Sequence, residues 1–245
     1  MGRNLVFVPE CHSTNTLMAE LATRQHLAEG SVLITANQTA GRGQMGTTWL
    51  VEPGRNITAS FLVRPLFLDL RRQFALTQWV ALAVAGTVEA CTRQSATIKW
   101  PNDVLIGHQK VCGILIENTL TGACISQSII GIGLNVNQEE FPFPAATSLQ
   151  LAAGHPLSLA SVFEVLCEQL ERGFLDLRAG KRPDDQYLRR LYGLGQILPL
   201  ADEKGEFEGV VEGISPDGRL VVLQGTVRHA YGLKEIRFRD TSSRG

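Results

Sequence analysis

Gly41, Arg42, Gly43 and Gly46 place three glycines and one guanidinium within six residues, directly after the apolar run 31–36. Glycine lets a backbone approach a ligand closely and turn successive N–H groups toward an anion. The planar Arg42 cation suits a carboxylate or a phosphate. A strand running into a Gly/Arg loop is as often an ordinary turn as an anion site. Two further polar clusters raise the second reading: Lys99-Trp100-Pro101-Asn102-Asp103, and Lys110 ahead of the apolar run 111–116.

Composition bounds the setting of these residues. The chain has 245 residues, 44% of them apolar, enough to bury a full core as one large domain or as one large and one small. A net charge of −1 argues against a strongly basic nucleic-acid binder. Residues 1–10 are too short and too quickly polar a stretch for a signal peptide. No apolar stretch approaches the roughly 20 residues that span a bilayer; the nearest, 75–90, is interrupted by Thr77, Gln78 and Glu89. Cys11, Cys91, Cys112, Cys124 and Cys167 are odd in number and scattered, which fits a reducing compartment and disfavours zinc. The five histidines show no metal spacing. The expectation is a soluble cytoplasmic protein with no membrane partner.

The elements that must position the polar clusters follow from periodicity. Residues 5–8 read as a strand. Ser13, Thr14, Asn15 and Thr16 offer N-caps for a helix to about residue 27. Strands are predicted over 32–36 and 56–63, and the longest helix over 70–94, where Phe74, Leu76, Trp79, Val80, Ala83, Val84 and Val88 recur at three and four. A strand over 96–100 stops at Pro101. Residues 104–106 and 111–117 form a hairpin about Gly107-His108, and 125–136 is a long β-branched run. Helices follow over 159–177 and 184–192. Strands with flanking helices predict a sheet domain over 1–192. Beyond it, short β runs split by Lys204-Gly205 and Ser215-Pro216-Asp217-Gly218 predict a small barrel over 193–239, and 240–245 a disordered tail.

Ser13-Thr14-Asn15, Gln38 to Gly43, Lys99 to Asp103, Lys110 with Gly113-Ile114-Leu115, and Gly131-Ile132-Gly133-Leu134-Asn135 occur in that order. Together they resemble the biotin protein ligases, over nearly the whole chain and in the form lacking an N-terminal DNA-binding domain. The resemblance implies an α+β fold: a mixed β-sheet flanked by helices, related to class II synthetases, then a C-terminal SH3-like β-barrel. It implies that ATP and biotin yield biotinyl-5′-AMP, and that biotin then passes to a lysine of a biotin carboxyl carrier protein. Joining a carboxylate to an α-phosphate brings two anions together, so charge stabilisation dominates such a site. Arg42 and Lys110 are the implied catalytic cations, and Mg²⁺ is implied on the phosphates.

By the same resemblance, biotin lies among Ser13, Thr14, Asn15, Gln38, Arg42, Gly43, Gln44, Lys110 and Gly113. ATP and the adenylate lie near Gly41, Gly46, Trp49, Lys99, Asn102 and Asn135, with Asp103 a further candidate. Each has a plainer rival: Ser13 and Thr14 as helix caps, Lys110 as a solvated hairpin lysine, Asp103 as a turn residue, Trp49 as a core aromatic. Trp100 is read as core. Many relatives carry a basic residue where Gln44 stands; glutamine supplies a hydrogen bond but no charge. A lipoate ligase shares the fold and the adenylation step, but its Arg-Arg and triple-glycine signature is absent. A repressor needs a helix-turn-helix for which residues before Leu5 leave no room, so no DNA partner is expected. A non-catalytic nucleotide-binding domain has no need of Lys99, Asn102 and Lys110 together. The protein is expected to be a monomer or a homodimer, and the loop 41–49 a mobile lid over the adenylate.

Overall fold

The computed structural model describes residues 1–142 and 144–239; the expected tail at 240–245 lies outside them. Two sheets carry the architecture. The first holds β1 (Leu5–Cys11), β2 (Val32–Gln38), β3 (Ile57–Val63), β4 (Ala96–Lys99), β5 (Asp103–Ile106), β6 (Gln109–Thr121) and β7 (Cys124–Leu134). Their spatial order is β1-β2-β3-β7-β6-β5-β4. β1 and β2 run parallel and the other neighbours antiparallel, so the sheet is mixed.

Side chains alternate across a strand, and here that separates a core face from a working face. Ile57, Ala59, Phe61 and Val63 of β3 join Ile114, Ile130, Ile132 and Leu134 on the core face. That face lies beneath α2 (Phe74–Thr92) and α4 (Leu159–Arg178). Ser158 caps α4, whose Val162, Leu166, Leu170 and Phe174 form one buried stripe. Residues 70–92 are long and apolar enough to pass for a membrane span, unlike the sequence expectation, yet 61% of their most apolar 18-residue stretch is buried in this core. On the other face, α1 (Thr14–Arg24) seats Met18 against Leu33, Leu62 and Ile129. It packs chiefly on β3, β7 and β2, so its N-terminal turn opens beside β6.

The second sheet comprises β8 (Ile197–Asp202), β9 (Gly205–Ile214), β10 (Leu220–Gln224), β11 (Val227–Tyr231) and β12 (Arg237–Phe238), in order β11-β10-β9-β8-β12 and wholly antiparallel. No β11–β12 pairing occurs among the described residues, so the sheet has the strand pattern of an SH3-like barrel without its closure. The sheets meet where the Trp100 indole donates to the Gly218 carbonyl at 2.9 Å and Lys99 Nζ lies 5.3 Å from the Phe238 ring centre. Trp100 is buried, as expected of a core aromatic.

Several boundaries differ from the periodic reading. α1 stops at Arg24, three residues short of expectation. Residues 70–72 form a separate 3-10 turn capped by Asp69, which delays α2 to Phe74. α5 (Asp184–Arg189) is a short helix, and α3 (Leu149–Ala153) was not anticipated.

Candidate functional site

The working face is built by three glycines. Gly131 and Gly133 flank Ile132, so alternation sends Ile132 to the core and leaves both glycines on the opposite side. Gly133 stands across from Gly113, and Gly131 across from Leu115. A Cβ on Gly133 would lie 2.3 Å from Cε2 of Trp49, and one on Gly131 2.6 Å from Oδ1 of Asn15. Bare backbone there is what lets Trp49 and Asn15 lie down on the sheet. Above it opens a cavity of about 320 Å³.

Lys110 reaches this face through an irregularity. Strict alternation from Gly113 would place Lys110 with Cys112 and Ile114, on the core side. The β5–β6 register shifts between Val104 and Leu105, and Val111 and Cys112 are buried consecutively. This bulge re-aims Lys110 into the cavity wall. Its ammonium pairs with Asp103 at 2.6 Å and lies 5.5 Å from the Trp49 ring centre. Cys112 faces away, and burial pushes its thiol well above the ordinary range, so it is no nucleophile.

The opposite end of the cavity is neutral. Ser13 occupies the N-cap position of α1, but its side chain makes no capping bond. Gln38 Oε1, from the end of β2, accepts from Thr14 N at 2.7 Å and Thr14 Oγ1 at 3.1 Å. Both amide hydrogens of Asn15 are engaged, by Glu117 Oε2 at 2.7 Å and the Leu115 carbonyl at 3.3 Å. Asn15 Oδ1 accepts from the buried Ser60 hydroxyl at 2.6 Å. Ser13, Thr14 and Asn15 are buried, held by packing as well as by hydrogen bonds.

The glycine loop crosses the mouth as a tight hairpin. Gly43 N donates to the Thr47 carbonyl at 2.6 Å and Trp49 N to the Gly41 carbonyl at 2.9 Å. A Cβ on either glycine would fall 2.4 Å from a loop oxygen, so close approach of the loop to itself requires both. In this state the Gly43 N–H is spent inside the loop. Arg42 crosses to Glu117 at 3.1 Å and to the Thr16 hydroxyl at the same distance.

Of the residues singled out by sequence, Ser13, Thr14, Asn15, Gln38, Arg42, Gly43, Gln44, Trp49, Asn102, Asp103, Lys110 and Gly113 line this one cavity. Gly41, Gly46, Lys99 and Asn135 do not. Gly46 closes the loop's 3-10 turn. Asn135 ties the Thr147 carbonyl at 3.0 Å and so braces the segment beside β6. Lys99 points at Phe238. A second cavity of about 1040 Å³ opens between Trp100-Pro101 and the second sheet, and Gln44 and Thr47 line both. Sequence reasoning passed over Glu117, Ser60 and Thr58; a polar Thr58 and Ser60 on the face of β3 opposite its core side was the available signal. Among the described residues no cluster of three or more His, Cys, Asp or Glu could hold a metal.

Residues 8–135 match the biotin/lipoate A/B protein ligase family. The chain is 33% identical to the bifunctional ligase/repressor BirA of Bacillus spizizenii, over 91% of this chain and 70% of that protein. It is 31% identical to the biotin–[acetyl-CoA-carboxylase] ligase of Mycobacterium tuberculosis, over 89% and 82%. A biotin protein ligase from Aquifex aeolicus, solved in complex with biotin and ATP, superposes with a TM-score of 0.81 at 26% identity, covering 98% of this chain and 100% of that one.

Proposed function

Because the chain belongs to the biotin/lipoate A/B protein ligase family, we propose that it joins biotin to ATP and passes the biotinyl group to a carrier-protein lysine. In the first step a carboxylate oxygen of biotin bonds to the α-phosphorus of ATP and pyrophosphate leaves. In the second, the carrier lysine nitrogen bonds to the acyl carbon, loses its proton, and AMP leaves. The activity is that of a biotin–[acetyl-CoA-carboxylase] ligase.

One observation carries the reading: Ser13 and Thr14, Gln38 and Arg42, and Lys110, from three separate stretches of the sequence, line a single cavity. Its neutral end offers donors and acceptors together, as a urea head requires. Two cations stand on partly exposed carboxylates, Lys110 on Asp103 and, beside the neutral Asn15, Arg42 on Glu117. Substrate anions can compete for both cations, and the more exposed Arg42–Glu117 pair holds by only about 0–1 kcal/mol. Lys110, a compact charge, then serves carboxylate and phosphate oxygens alike. The Trp49 indole N–H, buried without a hydrogen-bond partner among the described residues, adds a donor to the wall. In this reading the nucleotide extends from Trp49 and Asn102 across Gln44 and Thr47 toward Lys99.

A magnesium ion fits this donor set as one held mostly by phosphates, since Asp103 is the carboxylate in the cavity lining. When bound, it neutralises phosphate charge. Neutral Gln44 leaves retention of the adenylate to Arg42 and Lys110. The acceptor is a biotin carboxyl carrier domain, and the setting is the cytoplasm.

The test is biotin-dependent ATP–pyrophosphate exchange by the purified protein, with lipoate in a parallel reaction. Exchange with biotin and not lipoate is expected. Exchange with neither overturns the assignment, and exchange with lipoate alone replaces it with lipoate ligation.

A further inference from the structure

Glu117 sits outside the cavity lining but touches two residues that form it. It faces the working side of β6, in alternation with Gly113 and Leu115. One carboxylate oxygen accepts from Asn15 Nδ2 at 2.7 Å. Arg42 approaches both carboxylate oxygens, at 3.1 and 3.2 Å, with the same terminal nitrogen NH2 that reaches Thr16. The guanidinium is therefore fastened at one corner. Its Nε and second terminal nitrogen make no hydrogen bond among the described residues; they lie on different edges of the guanidinium, so each remains a separate donor toward an anion. Leu115, two residues earlier, adds its carbonyl to the hold on Asn15 at 3.3 Å.

We propose that Glu117 is a positioning residue that sets Asn15 and Arg42 at once, leaving the uncommitted N–H donors of Arg42 presented to the biotin carboxylate or its adenylate. The inference rests on the proposed biotin reading for its ligand, and on geometry alone for the hold it describes. Glu117 ties the neutral Asn15 and the charged Arg42 together through one side chain. A glutamine there keeps an acceptor for Asn15 but loses the charge that holds Arg42; an alanine loses both.

Two measurements test this on the full chain. In the ligand-free protein, amide hydrogen exchange over 41–49 should run about 3- to 5-fold faster in Glu117→Ala than in wild type, as loss of one exposed ion pair permits. In pyrophosphate exchange, Glu117→Ala should raise the biotin KM by roughly 10-fold, with the ATP KM and kcat within about 3-fold, the pattern of lost binding rather than lost chemistry. Glu117→Gln should fall between the two. With Arg42→Ala already present, adding Glu117→Ala should cost less than the product of the separate effects. Unchanged loop exchange in Glu117→Ala overturns the hold on Arg42 whether or not wild type exchanges pyrophosphate. Strictly multiplicative effects, or equal rises in both KM values with a melting point lowered by more than about 4 °C, assign Glu117 a merely structural part. Wild type inert toward biotin, with the loop still loosened in the variant, overturns the ligand assignment and leaves the hold standing.

Discussion

The neutral and the charged groups of the cavity are held on opposite plans. Around Ser13, Thr14, Gln38, Asn15 and Ser60 the side chains are neutral and largely buried, and Thr14 bonds Gln38 while Ser60 bonds Asn15. Around Lys110 and Arg42 the groups are charged, and their partners Asp103 and Glu117 stand partly in solvent. Buried neutral networks are costly to disturb, because a lost partner leaves a desolvated group unmatched. Partly exposed ion pairs exchange at little cost. The neutral groups are preformed for shape and hydrogen-bond pattern; the charged pairs keep their cations in place until anions arrive.

Lys110→Ala should break the charged set most severely. We expect adenylation to fall on the order of 10³-fold, the upper range for loss of one charge-stabilising contact. Stability should change by about 1 kcal/mol or less, since the lost pair with Asp103 is only partly buried. Carrier biotinylation from synthetic biotinyl-adenylate separates the half-reactions: survival of transfer confines Lys110 to the first step. If both steps persist, the ammonium lies outside the chemistry. Arg42→Ala should cost about 10²-fold in the exchange reaction, since Lys110 remains. An unaltered rate would make Arg42 a solvated loop residue.

Gly131→Ala attacks the neutral set. Its Cβ would fall 2.6 Å from Asn15 Oδ1, against a side chain already committed to three partners. Overpacking of about 1–3 kcal/mol should appear as a biotin KM raised roughly 10-fold, with the ATP KM untouched. Parallel rises in both would show that the two sets are one unit.

The smallest kinetic effect belongs to an ion pair away from the cavity. Arg190 beside Glu89 holds that carboxyl below the usual range by hydrogen bonding to its charged form, against the opposing effect of burial. A depressed folded pKa stabilises the fold above the unfolded value and loses that contribution as pH falls through the folded one. Glu89→Gln should flatten the acid limb of melting temperature against pH and leave KM values at neutral pH unchanged. An acid limb identical to wild type would remove Glu89 from the stability balance.

Much of this plan was legible in sequence because it is local. The stripe in α4, the Gly107-His108 hairpin and the Gly131-Ile132-Gly133 alternation each announce themselves within a few residues. What escaped depends on contacts across the chain. Glu117 resembles any glutamate near a strand end until β6 brings it to Asn15, 102 residues earlier in sequence. β12 has two residues and exists through pairing with β8. α3 has five, too few for periodicity. The bulge at Lys110 left no mark in hydrophobic pattern, where Val111 and Cys112 read as one apolar run.

The contact of Trp100 with Gly218 limits how freely the chain could be recombined. The segment 100–103 that lends Asn102 and Asp103 to the cavity wall is moored by an indole to a turn of the second sheet, where a Cβ on Gly218 would strike Phe74 at 2.5 Å. Lys99 leans on Phe238 of the last strand. A graft exchanging residues 193–239 for a foreign barrel of the same outline would have to supply a carbonyl, a side-chain-free turn and an aromatic ring at those stations. Without them the cavity wall would inherit a loose foundation, however well the transplanted sheet folded.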